Sequence, residues 1–138
     1  MRLTNFSDLS FRVLLFAASK QDRLVTIDEM NEFYDGSRGH LMKVVNALTR
    51  AGYLEAIRGR SGGLKLARRP EDINLAAVLR TTETDFRLVE CMRPENNCRL
   101  APGCRLTGPL NEAMAAFMET LGKYTLADIQ LQESAFAF

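Results

Sequence analysis

Apolar residues return with helical spacing near the start of the chain. Leu9, Val13, Phe16 and Ala17 fall at i, i+4, i+7 and i+8, which predicts a helix from Ser7 to Ser19 with one buried face. Thr26, followed three residues later by Glu29, has the form of a capping box, so a second short helix is expected over Ile27 to Tyr34, stopping at Asp35-Gly36. Ser37 then caps a third helix that runs to Gly52, a residue suited to the position just past a helix end. On this third helix Leu41, Val44, Val45 and Leu48 share one side. Gly39, Lys43, Asn46 and Arg50 lie roughly opposite, with His40 on the flank. Two helices joined by a tight turn, the second with small, amide and cationic residues outward, make a helix-turn-helix pattern. Such an outer face fits a DNA major groove, which admits one helix.

The period then changes. Tyr53 to Ile57 and Leu64 to Ala67 alternate as short strands around Arg58-Gly59-Arg60-Ser61-Gly62-Gly63, which predicts a β-hairpin. A basic hairpin directly after a recognition helix is a wing. Its glycines allow close approach to phosphate, and its arginines have the reach to enter a minor groove. Pro70 closes this unit, Asn74 to Thr82 reads as a further short helix, and Phe86 to Glu90 as a strand or an extended linker. A long helix is expected from Leu106 to Gly122, with Pro109 in its first turn, where proline is tolerated. Leu106, Leu110, Ala113, Met114, Phe117, Met118 and Leu121 form a wide apolar stripe along it. A small domain offers little to cover so wide a terminal stripe, so it reads as a dimer interface, with an intrachain core helix as the alternative. Thr125 caps a last short helix, and the tail from Ser134 to Phe138 is expected to fray. The fold class is therefore mainly α with a small β-hairpin wing, a winged helix-turn-helix followed by a long C-terminal dimerisation helix. Its expected divisions are 1–82 for DNA binding, 83–105 for a cysteine-containing loop, and 106–138 for the dimerisation helix and tail.

Charge sharpens this picture once it is mapped. The net charge is only +1, yet residues 37–69 hold eight Lys or Arg against the single acid Glu55, so this segment is +7 and the remainder −6. A solvated face mixes both signs; a one-sign block is the footprint of phosphate binding. No apolar run approaches the roughly 20 residues of a membrane span. Asp8, Ser10 and Arg12 interrupt the apolar stretch after Arg2 at helical spacing, which favours an amphipathic helix over an export signal; a cytoplasmic location is therefore expected. Catalysis is not expected. There is no Ser–His–acid grouping, the one histidine sits on the presumed DNA side, and the hairpin's glycine-rich loop lacks the Lys-Ser/Thr of a phosphate-binding loop.

Cys91, Cys98 and Cys104 follow the spacing C-x6-C-x5-C. An odd number of clustered cysteines without an export signal argues against a disulfide framework. Thiolates bind soft metals and iron–sulfur clusters, and this loop of Gly, Pro and Asn holds little that packs as a core. The spacing is not that of a zinc knuckle. It does not choose iron over zinc, and redox-active or structural cysteines stay open.

Five stretches together resemble one family: Met1-Arg2-Leu3-Thr4, Ser37 through Val45, Ala51-Gly52-Tyr53, Arg58 through Arg68, and Cys98 through Leu106, with Tyr124 through Asp128 beyond them. They are similar to the Rrf-type winged-helix iron–sulfur transcription regulators, which include the NsrR, IscR and RirA groups, and most of all to the NsrR group. The resemblance implies a homodimer on a palindromic double-stranded DNA operator, acting as a repressor and answering nitric oxide. It also implies an iron–sulfur cluster, 4Fe–4S ahead of 2Fe–2S, held by Cys91, Cys98 and Cys104 of each subunit. Asp8 stands where some NsrR proteins donate a fourth ligand from the other subunit; its bland reading is a carboxylate favouring the first turn of a helix. Thr107 stands where the IscR group has a histidine ligand, which weighs against that group. The x6 spacing differs from the shorter one of the NsrR group and keeps an iron or iron–sulfur status sensor of the RirA or IscR kind as an alternative, beside a cluster-free thiol or zinc-dependent regulator. The expected DNA contacts are Ser37, Arg38, His40 and Lys43 on the third helix, and Arg58, Arg60 and Ser61 in the hairpin.

Overall fold

Local hydrogen-bonding chemistry sets most of the element boundaries. The computed structural model describes residues 2–137; Met1 of the opening motif and Phe138 of the tail lie outside them. Helix α1 spans Asn5–Ser19, two residues earlier than the apolar spacing predicts, because the Thr4 hydroxyl accepts from the Ser7 N–H. The Thr26–Glu29 capping box starts α2, Ile27–Tyr34, and Asp35 ends it in the left-handed conformation with φ 45°. Ser37 caps α3, Arg38–Arg50, and Gly52 follows with φ 75°. Strands β1, Leu54–Ile57, and β2, Gly63–Leu66, pair antiparallel with Leu54 opposite Leu66 and Ala56 opposite Leu64. Val25 forms an isolated bridge on the other side of Leu64, seating the hairpin against the segment that leads into α2.

Asn74 caps α4, Leu75–Thr82, through its Oδ1. Its Nδ2 donates to the carbonyls of Gly122 and Tyr124, so one side chain joins the start of α4 to the end of α5, Thr107–Leu121. Helix α6, Leu126–Ile129, follows, with the Asp128 carboxylate accepting from the Thr125 N–H and hydroxyl. Between α4 and α5 residues 86–89 join no ladder, so this stretch is a linker rather than a strand.

The core lies where α1, α3, the hairpin and α4 meet. Val13, Leu14, Val44, Leu48, Ile73, Val78 and Leu126 are fully buried in it, each aliphatic side chain contributing about 1.5–3 kcal/mol by leaving water. The described part of the tail, residues 134–137, does not fray. Residues 133–136 form a short 3₁₀ turn that returns to α1, where the Phe136 ring lies 5.4 Å from that of Phe16 and 5.2 Å from that of Phe33. Lys20 pairs with Glu133 at 2.7 Å and the Gln130 amide donates to the Ala18 carbonyl. The expectation of fraying failed because the partners of this aromatic ring stand more than a hundred positions away in sequence. Among the described residues no helix is long and apolar enough to cross a membrane.

Candidate DNA-reading face and cysteine loop

The outward side of α3 and the hairpin make one exposed surface. Ser37, Arg38, His40, Lys43, Arg58, Arg60 and Ser61 are all exposed. The four buried positions of α3 are Leu41, Val44, Val45 and Leu48, the set expected from the sequence, so packing fixes which face points away from the core. Lys43, Arg50, Arg58 and Arg60 make no ion pair among the described residues. The rest of the basic block is occupied. Lys65 pairs with Glu55 across the hairpin at 3.3 Å and Arg69 with Asp72 at 3.0 Å. Arg68 lies over the Tyr53 ring at 4.9 Å and donates to the Ala51 carbonyl at the end of α3. Arg38 is also held: its Nε donates to Asp28 at 2.9 Å and its Nη1 to the Met42 sulfur at 3.2 Å.

The tip of the hairpin depends on two glycines. Gly59 has φ 117°, outside the range of ordinary side-chain-bearing residues, and its carbonyl accepts from the Gly62 N–H. A β-carbon on Gly62 would collide with the backbone carbonyls of Ile57 and Gly59. The turn that presents Arg58, Arg60 and Ser61 therefore closes only with glycine at 62.

Cys91, Cys98 and Cys104 are partly exposed and free. Cys91 ends up in a short 3₁₀ turn, Glu90–Met92, and lines a cleft of about 710 Å³ together with Thr107, Asn111 and Met114. The loop's hydrogen bonds are local, such as Asn97 N–H to Glu90 and Cys104 N–H to the Leu100 carbonyl. Within this one chain the cysteines are not brought together: among the described residues no three His, Cys, Asp or Glu side chains converge to hold a metal ion. The donor set itself, three unpaired thiols on a loop without long-range backbone ties, fits a soft metal or an iron–sulfur cluster. Asp8 lies on the exposed side of α1, paired with Arg12 at 2.9 Å one turn on. The Tyr34 hydroxyl donates to the Arg12 carbonyl at 2.8 Å, and burial pushes its pKa up to about 12.

Two carboxylates went unnoticed in the sequence. Asp28 holds Arg38, as above. Glu83, where the linker leaves α4, accepts from the Thr4 N–H, the Thr4 hydroxyl and the Ser7 hydroxyl at 3.0, 3.0 and 2.8 Å. It thereby fastens the linker to the start of α1, one residue before Asp8. Only the threonine-to-serine spacing at 4 and 7 hinted at this cap, and nothing nearby pointed to its distant carboxylate.

The family model Rrf2, described as iron-dependent transcriptional regulator, matches residues 3–131. The HTH-type transcriptional regulator NsrR of Bacillus licheniformis is 47% identical over 135 residues, covering 96% of this chain and 94% of that protein. NsrR of Bacillus subtilis is 48% identical over 131 residues, covering 94% and 90%. Among solved structures, T. potens IscR superposes with a TM-score of 0.75 at 20% identity, covering 94% of this chain and 85% of that one, which shows a shared winged-helix fold. These relatives are named as regulators, so the protein is no enzyme. From residue 3 to residue 131 the chain belongs to the Rrf2 family of iron-dependent transcriptional regulators.

Proposed function

We propose that this DNA-binding transcription regulator is a homodimeric, cytoplasmic repressor of a palindromic operator, and that nitric oxide relieves the repression through an iron–sulfur cluster. One observation carries the reading: a single chain joins an exposed cationic face on α3 and the hairpin, where Lys43, Arg58 and Arg60 make no ion pair among the described residues, to a loop of three free thiols. Helix α3 enters the major groove with Ser37, Arg38, His40 and Lys43, while Arg58, Arg60 and Ser61 contact phosphate or minor groove. The apolar stripe of α5, unburied in the single chain, is the surface for a second copy.

Cys91, Cys98 and Cys104 would hold the cluster, of the four-iron type, and the partner subunit's Asp8 would complete its ligands. Bound there, the cluster would supply iron that is reactive toward nitric oxide. The chain's own contribution is mechanical. Cys104 lies three residues before α5, and Cys91 follows the linker that Glu83 fastens to α1. Thiolates held at one point fix the entry to α5 relative to α1, and α1 packs directly on α3. Freed thiolates release that set, and the two α3 helices of a dimer lose the fixed separation that half-sites about 34 Å apart demand. A coupling of about 1–3 kcal/mol is enough to switch occupancy.

Anaerobic purification with iron and sulfide analysis, followed by operator binding during a nitric oxide titration, tests this. Brown protein with iron and sulfide, whose operator affinity falls as nitric oxide is added, and a Cys98→Ser variant that loses both properties are expected. Equal operator affinity with and without iron would overturn the sensor. A colourless zinc protein, or one answering only by reversible thiol oxidation, would replace it with the corresponding alternative.

A further inference from the structure

The DNA-facing side carries one ion pair that the cationic-face reading leaves unused. Asp28, in the first turn of α2, accepts from Nε of Arg38, the first residue of α3, at 2.9 Å. An acid in that turn favours the helix dipole. Glu29, however, already caps the same helix end, so α2 does not need Asp28 for its start. The pair is exposed, with 54% of the Arg38 and 78% of the Asp28 side chain open to solvent, and so contributes little to folding. Its effect lies in where it leaves the guanidinium.

A guanidinium has five N–H donors in one plane. Nε is taken by Asp28 and one hydrogen of Nη1 by the Met42 sulfur, 3.2 Å away. Three N–H groups remain, one on Nη1 and two on Nη2; with the inner hydrogen of Nη1 on the Met42 sulfur, the outer hydrogens of the two Nη groups form an end-on parallel pair. That pair matches the two acceptors, O6 and N7, that guanine shows in the major groove. The N-terminal residues of a recognition helix are the ones that meet base edges, and Arg38 is the first of them. The carboxylate has a second consequence: a negative charge beside Arg38 opposes the approach of phosphate and so weakens binding to DNA of any sequence.

We infer that Asp28 is a specificity-determining positioning residue, which holds Arg38 end-on so that the protein selects guanine at one position of each half-site. This rests on the reading of α3 as the DNA-reading helix. The test is selection from a pool of randomised duplexes by the full-length protein, purified anaerobically, as wild type, Asp28→Asn, Arg38→Ala and Arg38→Lys. Wild type should enrich a guanine in each half-site, and Arg38→Ala should lose it. Asp28→Asn should weaken that preference about fivefold to tenfold, the scale of leaving one long side chain unordered before binding. The same variant should bind random-sequence DNA more tightly than wild type, a rise that a folding defect cannot produce. Arg38→Lys keeps the charge but lacks the rigid fork of parallel N–H groups, so it should weaken the guanine preference without altering α2. If Asp28→Asn keeps the wild-type preference while Arg38→Ala loses it, Asp28 has no such role and the α3 reading stands. If Arg38→Ala also keeps it, both are wrong.

Discussion

Helices α1 and α5 are both fifteen residues long and comparably apolar, yet they meet opposite fates. In α1 seven residues are buried, among them Val13 and Leu14 with no exposure at all. In α5 none is, and Phe117 remains 36% exposed. Composition does not separate the two. What separates them is what the chain brings to each: α1 is covered by α3, β2, α4, α6 and the returning tail, whereas α5 rests chiefly on α4. From 83 to 125 not one residue is buried. A unit that closes its own core is thus joined to an arm that buries none of its residues within the single chain, and a region without its own core is the one that opens most readily.

The largest effect should come from exchanging matched apolar residues in the two helices. Leu14→Ala should cost about 2–5 kcal/mol of unfolding free energy in denaturant titrations. Phe117→Ala should leave the dissociated chain within about 0.5 kcal/mol of wild type and instead weaken dimer formation in sedimentation experiments. Equal losses of folding stability in both variants would erase the contrast. A smaller effect is expected where the two regions are fastened together. Glu83→Gln should lower stability by about 1 kcal/mol and raise amide hydrogen exchange at the start of α1, leaving the core unchanged.

The smallest effect is one of pH, confined to the head. The hydrogen bond from Arg23 holds the Glu29 carboxyl below its usual range, helped by the Thr26 N–H. A carboxyl depressed in the folded state adds stability that is fully present above its unfolded value and disappears as pH falls through the lower folded value. Acid unfolding of Glu29→Gln should therefore begin from a less stable protein and fall less steeply below the ordinary glutamate range. An acid limb parallel to that of wild type would show that the pair contributes nothing.

The same contrast explains what could be read from the sequence. Caps are local, so Thr26 with Glu29, Ser37 and Thr125 marked their helices before any fold was known. The face of α3 was legible because helical spacing alone assigns Leu41, Val44, Val45 and Leu48 to the inside. Contacts between distant positions were not. Phe136 against Phe16, Glu83 at Thr4 and Ser7, and Asp28 at Arg38 each need the folded chain to bring them together. The eight cations of residues 37–69 looked equivalent in sequence, yet Arg68 is spent over Tyr53 while Arg58 and Arg60 stand unpaired. The cysteines were conspicuous as a cluster of thiols, but among the described residues no three metal-ligating side chains converge.

The amide of Asn74 grips one end of α5 at Gly122 and Tyr124, while no side chain caps the other end at Leu106. Such a helix, about 22 Å long, behaves as a lever with its fulcrum beside α4. A small movement at the thiol-bearing end would turn it rather than slide it, and in the proposed dimer a second copy lying along the arm would feel the angle of that turn.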